Sequence, residues 1–170
     1  MKVRTGFGYD IHRLREGKPL FLGGVRIPFP KGLVGHSDGD CLIHAVIDAL
    51  LGAAGEKDIG GHFPDTDPRY KNIRSTLLLE DVMTLLRTRR FEVVNVDTVI
   101  LAEKPKLASY ISAMKEILCP LLGIDPRSLA IKSKTNEGMG VIGRGGAVAA
   151  WAVVLIEEKR RRRDRPKKVI

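Results

Sequence analysis

Ala147-Val148-Ala149-Ala150-Trp151-Ala152-Val153-Val154-Leu155-Ile156 is the longest uncharged apolar run in the chain, and no other segment constrains the architecture as tightly. Its ten residues are about half of the roughly 20 that a membrane-spanning helix requires, so it reads as a strand inside a folded domain. A strand that is apolar at every position needs both faces covered. Working outward, Ser128 to Ser133 reads as another strand, and Ala108 to Leu122 as an amphipathic helix ended by Gly123 and an Asp125-Pro126 turn. Glu92 to Leu101 alternates as a β-branched strand. Arg74 to Arg90 carries Leu77, Leu78, Val82, Leu85 and Leu86 at helical spacing. Residues 40–54 form a helix, 29–39 a loop rich in glycine and proline, Pro19 to Pro28 a tight hairpin around Gly23-Gly24, and 2–9 a strand. These helices are too few to cover both faces of a sheet. The expected fold is a single α/β (α+β) domain, a mixed β-sheet with helices on one face and the second face buried by other subunits.

Composition narrows the class further. A chain of 170 residues, 44 % hydrophobic and poor in aromatics, fits one aliphatic domain with a sizeable core. The net charge of +9 suggests nucleic acid until it is mapped: residues 159–168 hold eight basic groups and one acid, and without them +9 becomes +2. The chain therefore divides into a domain over residues 1–158 and a basic tail over 159–170, expected to be disordered. Cys41 and Cys119 form no C-x-x-C pattern, and each sits in an apolar helical stretch, as a buried thiol in a reducing compartment would. The N-terminus lacks the apolar core of a signal peptide. The expected location is the cytoplasm.

Chemistry concentrates in the first third. Tyr9-Asp10-Ile11-His12 places two ligand types two residues apart on a strand, hence on one side and about 6 to 7 Å apart along the chain. His36-Ser37-Asp38-Gly39-Asp40 then runs into a helix, with Asp40 placed to cap it and His44 one turn inside. An isolated Asp-x-His is most often an ordinary polar pair. One carboxylate and two imidazoles together make a three-ligand set with an open position, the format of a catalytic zinc, manganese, iron or cobalt site. Asp48, one turn beyond His44, is placed either to orient that imidazole or to face solvent.

Two later strand ends present cations and hydroxyls: Lys104-Pro105-Lys106, and Lys134-Thr135-Asn136-Glu137. Phosphate is the natural partner. Glu137 would repel phosphate unless a second divalent ion lay between them.

The ordered set Tyr-Asp-Ile-His, Gly-Gly-Val-Arg-Ile-Pro, His-Ser-Asp-Gly-Asp with a downstream His, Asp-Ile-Gly followed by Phe-Pro-Asp-Thr-Asp, Pro-Lys, Lys-x-Lys-Thr-Asn-Glu and Gly-Arg-Gly resembles the 2-C-methyl-D-erythritol 2,4-cyclodiphosphate synthase family of non-mevalonate isoprenoid biosynthesis. The resemblance runs from about residue 3 to 158. It implies a homotrimer, sheets packed around the trimer axis, and an active site at each subunit junction. There 4-diphosphocytidyl-2-C-methyl-D-erythritol 2-phosphate is cyclised and CMP leaves, which makes the enzyme a lyase. By the same resemblance Asp10, His12 and His44 hold one divalent metal, zinc first, and Glu137 a second, magnesium or manganese. His36 and Thr135 stabilise the transition state, and His36 and Ser37 sit on a mobile loop that closes on phosphate. Asp58, Ile59 and Gly60, with Phe63, Pro64, Asp65, Thr66 and Asp67, hold the methylerythritol moiety. Ala102, Glu103, Lys104, Pro105, Lys106, Leu107 and Ala108 form the cytosine pocket, and Lys134, Thr135, Asn136 and Glu137 bind the diphosphate.

Departures limit what carries over. Many members line the trimer axis with an aromatic near position 141 and an acid near 146; Val141, Arg144 and Gly146 stand here, so an isoprenoid-diphosphate pocket on that axis is not implied, although Val141 and Arg144 still fall at substrate-binding positions. Ser133 and His62 read as neutral variation. Two rivals use the same residues or the tail: hydrolysis of another phosphate compound at the metal, and nucleic-acid binding by the arginines, the latter in addition to catalysis.

Overall fold

The computed structural model describes residues 2–159. The basic tail expected to be disordered lies, from residue 160 onward, outside the described residues. Seven strands and five helices follow in order: β1 (Lys2–Glu16), β2 (Leu20–Leu22), β3 (Val25–Ile27), β4 (Lys31–Leu33), α1 (Cys41–Ala54), α2 (Ile59–His62), α3 (Ser75–Thr88), β5 (Phe91–Leu101), α4 (Ile111–Leu122), β6 (Leu129–Lys134), α5 (Gly140–Gly143) and β7 (Ala147–Glu158).

The main sheet has the order β4-β1-β7-β5-β6, which puts the apolar run at its centre. β7 pairs antiparallel with β1 and β5, whereas β5 and β6 run parallel, so the sheet is mixed. Val148, Ala150, Ala152, Val154 and Ile156 point into the helical layer and are buried. The alternate residues face the other way, where only the short α5 covers one end, its Ile142 packing on Ala147 and Ala149, and the rest of the face is bare. On that open face Phe7 is 65 % and Val153 48 % exposed, beside Val3, Tyr9 and Ile11, and the Tyr9 and Trp151 rings meet at 5.0 Å. Helices on one face and an apolar second face match the expected architecture.

Helix α1 is the core of the helical layer, with twelve of its fourteen residues buried, so it is apolar all round rather than striped. Each large aliphatic side chain it buries contributes about 1.5–3 kcal/mol. Asp40 caps it by accepting the Ile43 N–H at 3.1 Å, and the same buried carboxylate accepts the N–H groups of Gly23 at 3.0 Å and Gly24 at 2.7 Å. The β2–β3 turn, with φ of 58° and 78° at Gly23 and Gly24, is thereby tied to the helix start. Gly55 ends the helix in the left-handed conformation, φ 76°.

Two boundaries differ from expectation. The first strand continues to Glu16 instead of stopping at Tyr9, because residues 10–13 keep pairing with β7 and Leu14, Arg15 and Glu16 pair with β4. The expected loop 29–39 contains that short strand β4, in which Gly32 lies so close to Pro19 that a Cβ would meet its carbonyl oxygen at 2.0 Å.

Candidate metal centre and a second cavity

Asp10 and His12 leave β1 on the helical side, and His44 reaches them from the first turn of α1. The Asp10 Oδ2 to His12 Nε2 distance is 2.9 Å, Asp10 Oδ2 to His44 Nδ1 is 3.0 Å, and the two imidazole nitrogens are 3.1 Å apart. His12 Nδ1 donates to the Val34 carbonyl at 2.7 Å, and a carbonyl only accepts, so the neutral ring faces the cluster with the Nε2 lone pair and the protonated ring donates from Nε2 to Asp10. Burial alone would raise the Asp10 pKa, but hydrogen bonds and charge from both histidines outweigh it and hold the carboxyl well below its ordinary range. Burial likewise works against a charged His12, and Asp10 with the Val34 carbonyl reverses this, raising its pKa. The lowered Asp10 and raised His12 values both favour positive charge at the centre of the cluster. The three ligand atoms lie within 4.8 Å of one another, as one ion of the zinc class requires, and three ligands leave a position open.

The cluster opens onto a cavity of about 220 Å³ lined by Asp10, His12, His36, Ser37, His44, Ile59, Gly60 and Phe63, together with Tyr70 and Leu78, which sequence reasoning missed. Asp48 does not orient His44. Its Oδ1 accepts the Ile59 N–H at 2.8 Å and so holds the start of α2 against the cavity. Asp58 caps that helix through the Gly61 N–H at 2.9 Å, while Ile59 and Gly60 supply the lining. Phe63 packs edge-on against Tyr70 at 5.3 Å. Pro64, Asp65, Thr66 and Asp67 form the following turn and do not line the cavity; Asp67 is engaged by Arg69, which lowers its pKa.

The loop carrying His36 makes several hydrogen bonds to the segment before α3 and to its first residue. Asn72 N–H donates to the His36 carbonyl at 2.8 Å, Asp38 N–H to Ile73 at 3.0 Å, and the Asp38 carboxylate accepts from Ser75 and from Arg74. The His36 ring itself makes only a long contact, 3.4 Å from Nε2 to the Asp67 carbonyl.

A second cavity, about 170 Å³, is lined by Ala102, Glu103, Pro105, Lys106, Leu107, Ala108, Ser133, Lys134 and Thr135. The parallel pairing explains it: β5 and β6 end side by side, Leu101 opposite Lys134, so their following loops meet. Glu103 joins them, accepting the N–H of Asn136 at 3.1 Å. Thr135 Oγ1 donates to Glu137 Oε1 at 2.5 Å, and Glu137 adopts φ 49°. Lys104, Asn136 and Glu137 stand outside the lining, and Val141 is exposed on α5 with Arg144 just beyond it. Within one chain the two cavities are apart. Asp10 and Ser133 share a row of the sheet through Ala150 and Ile100, which separates them by three strand spacings, about 14 Å.

Residues 3–157, nearly the whole described domain, match the YgbB family. The chain belongs to that family. A YgbB-family relative from Desulfatibacillum aliphaticivorans, named 2-C-methyl-D-erythritol 2,4-cyclodiphosphate synthase, is 52 % identical over 155 residues, covering 91 % of this chain and 100 % of its own. Among solved structures, the Plasmodium falciparum IspF complex with CDP superposes with a TM-score of 0.82 at 34 % identity, covering 93 % of this chain and 97 % of that one. The bifunctional IspDF of Campylobacter jejuni gives a TM-score of 0.89 at 39 % identity; 93 % of this chain is covered, but the chain spans only 43 % of that longer protein.

Proposed function

We infer that this YgbB-family chain is a lyase that converts 4-diphosphocytidyl-2-C-methyl-D-erythritol 2-phosphate to 2-C-methyl-D-erythritol 2,4-cyclodiphosphate with release of CMP, the product being the one that its relatives are named for. The observation that carries it is the Asp10, His12 and His44 cluster opening onto a cavity to which the loop before α1 contributes His36 and Ser37. The nucleophile belongs to the substrate: an oxygen of the 2-phosphate attacks the β-phosphorus, and the bond from that phosphorus to the CMP oxygen breaks. No strong general base is needed, and bringing two anions together is the main difficulty.

A zinc ion held by His12 Nε2, His44 Nδ1 and Asp10 would withdraw charge from the β-phosphoryl oxygens. His36, on the cavity wall, supplies a directed donor to the oxygen that gains charge. Lys134 and Thr135 do the same from the second cavity, and Glu137, whose carboxylate stands beside Thr135, suits a magnesium or manganese ion shared with the diphosphate. The Ala102 to Ala108 loop takes the cytosine. Because one chain holds the two cavities about 14 Å apart, the complete site joins the metal side of one subunit to the nucleotide side of the next. The open apolar face of the sheet supports a trimer in which three such faces meet. Among the described residues no helix is long and apolar enough to cross a membrane, which fits work in the cytoplasm.

Incubating the purified protein with the cytidine substrate and following CMP release tests this directly. Release abolished by a chelator and restored by zinc with magnesium is expected. Release of inorganic phosphate without a cyclic product would point instead to a phosphohydrolase.

A further inference from the structure

His44 has a second nitrogen, and its surroundings decide which face the ring can offer a metal. Nε2 lies 2.8 Å from Ser75 Oγ and 3.1 Å from Ser37 Oγ. Ser75 is fully buried at the first residue of α3, and its hydroxyl donates to Asp38 Oδ1 at 2.5 Å. A hydroxyl has one proton and two lone pairs. With that proton committed to the carboxylate, what Ser75 turns toward His44 is an acceptor. In the neutral ring Nε2 must then be the nitrogen that carries hydrogen, and Nδ1 points at Asp10 and His12 with a free lone pair.

Asp38 is itself fixed. Its side chain is only 4 % exposed, its Oδ2 accepts the Ser75 N–H at 3.1 Å, and Arg74 Nε donates to the same oxygen at 3.0 Å. Arg74 in turn lies over the Phe21 ring at 4.0 Å and donates to the Gly24 carbonyl at 2.8 Å. A continuous line of contacts thus runs from the β2–β3 hairpin through Arg74, Asp38 and Ser75 to His44. On the other ligand the Val34 carbonyl performs the equivalent task for His12.

We propose that Ser75, seated on Asp38, is the positioning residue that fixes the Nε2–H tautomer and orientation of His44 and so prepares Nδ1 to hold a divalent metal. The proposal rests on the metal assignment made above and adds how one ligand is set before the ion arrives. Ser37, on the phosphate-facing loop, is the secondary acceptor of the same N–H.

The rival is a purely structural Ser75, present because Asp38 caps the start of α3. Long-range 15N–1H spectra of the metal-free protein, recorded over a pH series and read where the His44 ring carries a single proton, separate the two. The wild type should show His44 protonated at Nε2; protonation at Nδ1, toward Asp10, would overturn the proposal whatever the variants do. Ser75→Ala should give mixed tautomers and weaken zinc binding about 10- to 100-fold in competition with a chromophoric chelator, with circular dichroism confirming the fold. Asp38→Asn should fall between the two. Zinc affinity in Ser75→Ala within twofold of wild type, with unchanged His44 nitrogen shifts, would leave only the structural role. His44→Ala serves as the separate control: zinc retained there would refute the metal assignment, independent of which tautomer the spectra find.

Discussion

Gly8 on β1 faces Ala45 on α1 so closely that a Cβ at Gly8 would lie 2.0 Å from the Ala45 carbonyl oxygen and 2.7 Å from the Ala49 nitrogen. The neighbour of Ala45 is His44, and the residue two beyond Gly8 is Asp10, so this contact sets the distance between the two halves of the metal cluster. Gly8→Ala should push α1 outward, cost about 1–3 kcal/mol through overpacking, and reduce zinc affinity. Gly52, also on α1, meets nothing within 4 Å, and Gly52→Ala should instead stabilise by about 0.5–1 kcal/mol with zinc affinity unchanged. Denaturant unfolding with a zinc titration on each variant checks both. Equal zinc affinity in Gly8→Ala would show that the helix can move without disturbing the cluster.

The pKa values around Asp10 predict how the metal-free protein responds to pH. His12 has its folded value raised above 6.5, so the stability it contributes is fully present below 6.5 and is lost as pH rises through the higher folded value. Asp10 has its folded value lowered from 3.8, and its contribution is present above 3.8 and lost as pH falls through the folded value. Zinc must displace the His12 proton, so apparent affinity should rise with pH and level off above the folded His12 value. Melting curves of metal-free protein and chelator competition across this range measure both. A zinc affinity independent of pH around 6.5 would contradict the assignment.

His36 and Glu137 should separate by their response to metal. Loss of the His36 donor should lower kcat by roughly 10² to 10³-fold, with a smaller effect on KM. Glu137→Gln should shift the magnesium or manganese dependence, so that added cation partly restores the rate, whereas no concentration rescues His36→Ala. Identical metal responses in steady-state kinetics would count against the two roles.

Subunit mixing tests the division of the site. Lys106 lines the second cavity, proposed to take the nucleotide, and His44 the first. Lys106→Ala and His44→Ala chains, each impaired alone, should recover activity when unfolded together and refolded, because some junctions then combine two intact halves. No recovery in mixed assemblies of confirmed trimeric mass would place the whole site within one chain.

What the sequence made legible was what short-range chemistry determines. The start of helix α1 could be read from Asp40 because a cap is local, and the hairpin from Gly23-Gly24 for the same reason. Asp10 and His12 share a side of β1 by simple alternation. The rest depended on partners distant in sequence. Strand β4 is three residues with a glycine at its centre and exists only through its pairing with Leu14, Arg15 and Glu16. Ser75 reads as an ordinary helix start, and only the fold brings it to His44 and Asp38. Asp48 has helical spacing to His44, yet it turns to the Ile59 N–H. Nothing local indicated that β5 and β6 would lie parallel, although that pairing creates the second cavity.

The bare face of the sheet also bears on the life of a newly made chain. Phe7 and Val153 lie on the outside of the folded single chain, 65 % and 48 % exposed, so a subunit that has finished folding still presents a sticky surface until it meets others. The interval before that meeting lengthens as the pool of free subunits thins, and it is then that chaperone capture or off-pathway clumping competes. If three such faces meet as proposed, slow synthesis at low abundance is the harder regime for this protein, and a polar substitution at Phe7 would ease it for the lone chain while weakening the trimer.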